Sequence, residues 1–357
     1  MRQLSDFSSA PGFPRSVAVS RLAFALSLFA FASCSRAQEQ SATSISREVK
    51  DVFERSAKAV VKIHGADEHS EFFGTGFFID PTGTLYTSYT VGGEAGNFTI
   101  EFDGKQYPAH QVLADVRSGL AILKTDLATP ALPIGRSDQL EVATPIITIG
   151  FPLDLPKTPS FGMIAGFDRK YLGRYFSTTH LRVNLPTQRG EAGAPLLNLK
   201  GEVVGILMSS LENNSSCYAL PIDAAEKIRG DFVRFGQARH GWVGANVSEA
   251  KTEVAGSRAE VTEILSPPAA EGGIKPGDIL LQVGRTKVRQ PEDVLDASFF
   301  ITAGDTVPIT VRRGNETLTF NIQADSHPAS KPFIAAPPSS SNRAIPLNLQ
   351  TAPDRTP

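Results

Sequence analysis

Cysteine is scarce in this sequence: two residues in 357, Cys34 beside an N-terminal apolar run and Cys217 deep in the body. Two such distant cysteines make no disulfide framework, so the fold must rest on buried apolar area. Excess charge of either sign is missing as well, with 35 Lys and Arg against 37 Asp and Glu. That balance removes any global electrostatic reason to bind nucleic acid. The N-terminal apolar run, Leu22 to Ser33, has twelve residues, too few for the ~20 that a spanning helix needs. Ligand-rich clusters are also missing. His64 and His69 are five apart, and nearby Asp67 and Glu68 have no second cluster, so neither a metal nor another cofactor is expected.

What is present begins with an export signal over residues 1–37, where Arg2, Arg15 and Arg21 precede the apolar run and small residues follow it. Two processing readings are open. "FASC" at 31–34 resembles the lipid-attachment box of bacterial lipoproteins, with Cys34 as the acylated residue, whereas "SRA" at 35–37 suits an ordinary signal peptidase. A lipid anchor on Cys34 is the only membrane contact the sequence suggests.

A polar linker, 38–47, leads to "ISREVKDVFERSAKAVVKI", whose Ile45, Val49, Val52 and Phe53 recur at helical spacing before the pattern turns β-branched. From 59 to 222 short apolar runs alternate with Gly, Pro, Asn and Asp, the pattern of an all-β barrel or sandwich. A helix closes this domain (48–236), with Asp223 and Glu226 expected as a capping box and Ile228, Phe232 and Phe235 as its apolar face. A second domain spans 240–325, with strands near 243–248, 258–264 and 278–283, a helix near 291–300 and a hairpin. In that hairpin Val307, Ile309 and Val311 face Leu318, Phe320 and Ile322. The Pro- and Ser-rich tail, 326–357, is expected to be disordered.

The stretches "GTGFFID" (74–80), "GTLYTSYTV", "DVRSGLAILK" (115–124), "RGEAGAPLLNLKGEVVGI" (189–206) and "CYALPIDAAEKI" (217–228) occur in order. They are followed by "GWVGANV" and "AEGGIKPGDILLQV". Together they resemble the HtrA/Deg family of exported serine proteases. The resemblance covers about residues 48–325 and implies a mainly β architecture: a chymotrypsin-like double β-barrel followed by an α+β PDZ domain in the periplasm or cell envelope. In the family pattern the catalytic histidine, aspartate and serine would fall on Thr90, Gly119 and Ala192 of this sequence. Alanine has no attacking atom, threonine is no neutral-pH base and glycine orients nothing. The oxyanion hole, by contrast, is made of backbone amides, here those of the Gly190, Glu191 and Ala192 turn, and does not need the lost side chain. Glu191 is expected to point to solvent; turned inward, it would compete for those amides.

The resemblance also assigns "WVGA" to the loop that holds a peptide's terminal carboxylate: Trp242, Val243, Gly244 and Ala245, with Val294 to Ser298 as the opposite wall. Trp242 has a second reading, as interdomain core. The leading function is a non-catalytic binder of peptides or exposed protein C-termini. An enzymatic alternative uses displaced residues: of the six histidines, His64, His69, His110, His180, His240 and His327, only His110 or His180 would approach the cleft. Cys217 reads as a buried, inert strand residue. A regulatory alternative makes the chain a partner of an active HtrA relative, or a homo-trimer as is common in that family.

Overall fold

The computed structural model describes residues 45–66, 71–93, 97–171, 174–211, 215–265 and 267–327. The export signal with Cys34, His69, and nearly all of the Pro- and Ser-rich tail lie outside them.

A helix over residues 45–56, α1, enters the first barrel, as the apolar spacing predicts. That barrel is built from β1 (Val60–Ala66), β2 (Glu71–Phe78), β3 (Thr84–Ser88), β4 (Asn97–Phe102), β5 (Lys105–Asp115) and β6 (Leu120–Lys124), and one turn of helix, α2 (Tyr89–Gly92), follows β3. The second uses β7 (Pro145–Gly150), β8 (Thr158–Tyr171), β9 (Arg174–Asn184), β10 (Pro195–Leu197), β11 (Val203–Ser210) and β12 (Cys217–Pro221). Both barrels close on themselves, in the orders β1-β2-β3-β6-β5-β4 and β10-β11-β12-β9-β8-β7. Closure leaves no free sheet edge in either. Each barrel fills its interior with its own apolar cluster, Ile63, Phe78 and Ile100 in the first and Ile146, Ile164 and Val183 in the second.

A third cluster joins the two. Phe77, Tyr86 and Ile122 of the first barrel meet Ile149, Ile206 and Leu220 of the second and Ile228 of α3 (Ile222–Phe235). Helix α3 departs from expectation in two ways. Its N-cap is Pro221, and no side chain caps it. Asp223 instead accepts the Ser137 and Asp138 amides at 2.8 and 3.0 Å, and Glu226 accepts the Tyr86 hydroxyl at 2.5 Å, because tertiary donors outcompete local caps. Its buried face is Ile222, Ala225 and Ile228, whereas Phe235 is exposed with the Arg234 and Arg239 guanidinium groups against its ring.

The C-terminal unit contains β13 (Gly241–Trp242), β14 (Ala245–Val254), β15 (Ser257–Ile264), α4 (Pro267–Glu271), β16 (Ile279–Val283), β17 (Thr286–Lys287), α5 (Pro291–Phe299), β18 (Thr306–Arg313), β19 (Glu316–Gln323) and β20 (Asp325–Ser326). Its main sheet runs β14-β15-β16-β18-β19, so β14 is an edge strand. The hairpin has the register its alternation predicts, Val307 opposite Ile322, Ile309 opposite Phe320 and Val311 opposite Leu318.

Helix α5 docks this unit onto the second barrel. Asp296 accepts the Thr178 hydroxyl at 2.6 Å and the Thr179 amide at 2.8 Å, Arg169 pairs with Asp293 at 2.8 Å and Lys170 pairs with Glu292. At the other end His240 Nε2 lies 2.9 Å from Asp115 of the first barrel. Phe299, fully buried, belongs to the cluster that joins the barrels rather than to the core of its own sheet. Deleting such a ring costs about 3–5 kcal/mol. Phe299→Ala is therefore expected to split a single calorimetric unfolding transition into separate barrel and C-terminal transitions. One unshifted transition would contradict this docking.

Candidate functional site

The turn that follows β9 and precedes β10 is shaped by two glycines. Gly190 and Gly193 have φ of +99° and +86°, the left-handed region that L side chains rarely enter. A Cβ on Gly193 would stand 2.2 Å from both the Thr75 carbonyl oxygen and Thr87 Oγ1. Only glycine lets the second barrel's loop come this close to the first. Two bonds fasten it there: the Thr75 amide donates to the Ala192 carbonyl at 3.0 Å, and Thr75 Oγ1 donates to the Gly190 carbonyl at 2.7 Å. Phe73 lies over the turn, its ring carbons reaching 2.4 Å from where a Gly190 Cβ would be, and the Arg189 guanidinium stacks on that ring.

The three positions that the sequence pattern matches to a catalytic triad are Ala192, Thr90 and Gly119. Ala192 sits half-buried at the apex, against the first barrel's core. Thr90 is exposed on α2, its hydroxyl 2.9 Å from Ser88 Oγ. Gly119, with φ +78°, lies in the turn between β5 and β6, and its carbonyl accepts the Tyr89 amide. The Met208 sulfur is 3.3 Å from where a side chain at 119 would begin.

Glu191 is not directed to solvent as its charge suggests. It is 2% exposed, because the turn closed by the Glu191 amide on the Gln188 carbonyl folds its carboxylate back onto the Gln188 amide, with Oε2 accepting at 2.6 Å. Oε1 is buried without a partner. Burial raises the Glu191 carboxyl above the usual carboxylate range, against the lowering by the Gln188 amide. Among the described residues the amides of Gly190 and Ala192 donate to no backbone carbonyl, while those of Glu191, Gly193 and Ala194 do.

The histidines are dispersed. His180 is buried, bonded at Nδ1 to the Thr178 carbonyl and stacked on Phe176, and burial lowers its imidazole to about 4. His110 is exposed on β5, His64 is on β1, and His240 holds Asp115 at the domain junction. Cys217 is fully buried, and its thiol is pushed up to about 12, chiefly by burial. Among the described residues no three His, Cys, Asp or Glu side chains are placed to hold a metal ion.

A second candidate site is a cleft of about 350 Å³ between β14 and α5. Trp242, Val243, Ala245, Val294 and Ser298 all line it. Val294 and Ser298 are one helical turn apart and share a face. Gly244 sits in the loop between, with φ +76° and its carbonyl accepting the Leu265 amide. Trp242 is half-buried, packed edge to face with His327 at 6.3 Å. Arg117 and His327 also line the cleft. Nothing in the sequence marks them, since one comes from the first barrel and the other lies past the last strand.

A model for the trypsin-like peptidase domain matches residues 74–206, and one for the PDZ domain matches 241–324. The chain thus carries a trypsin-like peptidase domain followed by a PDZ domain and has HtrA/DegP homologues. Curated relatives carry the name "Probable periplasmic serine endoprotease DegP-like". That of Bartonella henselae is 26% identical over 270 residues, covering 72% of this chain and 54% of the relative. That of Halomonas elongata is 29% identical over 285 residues, covering 75% and 60%. The chain thus spans little more than half the length of these relatives. Among solved structures, the HtrA-type protease AlgW with a tripeptide aligns at TM-score 0.69 and 23% identity, covering 78% of this chain and 97% of that one. The serine endoprotease of Yersinia pestis aligns at 0.61 and 24%, covering 78% and 98%.

The inward Glu191 has a pH signature. A carboxyl whose folded pKa lies above its unfolded value stabilises the fold while protonated, and that contribution is lost as pH rises through the folded pKa. Urea denaturation at pH 5 and pH 8 is expected to show a smaller loss of stability on alkalinisation in Glu191→Gln than in wild type. Equal losses would mean that this carboxylate is not buried.

Proposed function

We propose that this HtrA/DegP homologue is a non-catalytic, exported peptide-binding protein, in which the PDZ cleft takes peptides or exposed protein C-termini and the interbarrel cleft has lost its chemistry. The observation that carries this reading is Ala192: the loop is closed and seated, and its apex presents a methyl group. Acyl transfer needs a hydroxyl or thiol to attack and a base near working pH to take its proton. The positions that would supply them hold Ala192 and Thr90, and Gly119 offers no carboxylate to orient a base.

Displaced residues do not fill these roles well. His180 is buried on a backbone carbonyl and His240 is committed to Asp115, while the Cys217 thiol sits in a core strand. Loss of the nucleophile or base costs on the order of 10⁶ in turnover in subtilisin. Placement in the periplasm is supported by the names of the relatives, which are periplasmic endoproteases, and by the export signal. Lipidation at Cys34 and a trimeric or hetero-oligomeric state belong to the same proposal, and mass spectrometry of the mature N-terminus and sedimentation test them.

For binding, β14 offers an unpaired sheet edge to an extended peptide, and the loop at Gly244 offers backbone at its end. The relatives' names favour a second reading, an active endoprotease. A fluorophosphonate probe separates the two: the purified full-length protein is expected to label at background and to leave unfolded casein intact over a day. Covalent labelling, or cleavage abolished by replacing His110 or His180, would establish the endoprotease instead.

A further inference from the structure

We propose that Arg117, carried by the first barrel, is the carboxylate receptor of the PDZ cleft, so that a bound peptide's free C-terminus is gripped by both domains at once. The inference rests on the peptide-binding reading above and names a contact that reading does not require.

The position comes first. A peptide adding to the edge of β14 would place its last residue at the start of that strand, beside Trp242 to Ala245. Arg117 reaches this same cleft from the turn between β5 and β6. The turn is rigidly held. Asp115 Oδ2 accepts the Ser118 amide at 3.0 Å, the Gly119 amide donates to the Asp115 carbonyl at 2.9 Å, and Asp115 Oδ1 is bound to His240.

The chemistry points the same way. Arg117 Nη1 is buried with no hydrogen-bond partner, in a cleft whose floor and walls include Ile274, Leu280, Val294 and Ile309. A guanidinium donor withdrawn from water and left unpaired is costly. A carboxylate would satisfy it in the two-pronged geometry that arginine favours. The nearby carboxylate, Asp115, already has both oxygens engaged. His327 does not compete for the anion as a second cation: burial, with the Arg117 charge beside it, lowers its imidazole to about 4. The ligand class is therefore an extended peptide with a free α-carboxylate and apolar last side chains.

The test uses the full-length protein and an array of heptapeptides randomised at the last three residues, each made as free acid and as C-terminal amide. The tightest peptide is then titrated by fluorescence anisotropy against wild type, Arg117→Met and Arg117→Lys. Wild type is expected to prefer acid over amide by about 10-fold or more. Arg117→Met should lose most of that preference while binding the amide as wild type does, and Arg117→Lys should recover part of it. Amide binding also reports whether the cleft survives the substitution. If Arg117→Met keeps the wild-type acid preference, the inference is overturned and the binding reading stands. If no array peptide binds wild type, the binding reading itself fails.

Discussion

Thr75 fastens the two barrels together. Fully buried on β2, it donates its amide to the Ala192 carbonyl and its hydroxyl to the Gly190 carbonyl, and that hydroxyl also receives the Phe151 amide at 3.3 Å. The loop is a strut between barrels, and its Gly190 carbonyl depends on this hydroxyl for its bond across to the first barrel. The left-handed glycines exist because the approach is too close for a Cβ. None of these constraints involves the side chain at 192, so the loop can persist with alanine at its apex.

From that strut the rest follows by contiguity. The two barrels that it ties together share the cluster of Phe77, Tyr86, Ile149 and Ile206. That cluster buries Ile228 of α3 and Phe299 of α5, and Phe299 fixes the PDZ unit against the barrels. The turn at 115–119 is fastened at both ends, by His240 to the PDZ side and by Gly119 to Tyr89 beside Thr90. The cleft between β14 and α5 and the α2 segment that carries Thr90 are thus connected through one turn.

Much of this was legible in the chain. Alternation gave the hairpin residue for residue, because a half-buried sheet imposes period two on its sequence. The ordered motifs, with Gly190 and Gly193 among them, located the loop. Less could be read where long-range partners decide. Asp223 and Glu226 have the spacing of a capping box, yet Ser137 and Tyr86 claim them, and those donors lie 86 and 140 residues away. Glu191 looks like a surface charge until the turn folds it back onto Gln188. Phe235 completes an apolar stripe that the barrel does not cover. Arg117 sits in a polar turn whose neighbour across the cleft belongs to another domain, so no local pattern marks it.

Whether the loop is kept as architecture can be measured at Thr75. Replacing it with valine preserves shape and removes the hydroxyl that serves Gly190 and Phe151, leaving buried backbone groups unpaired at about 1–3 kcal/mol each. Urea unfolding of Thr75→Val should therefore show a loss of at least that size, against a negligible change for Ala192→Ser. A Thr75→Val protein as stable as wild type would mean that the loop bears no structural load, and that its glycine-rich shape must be explained by chemistry after all.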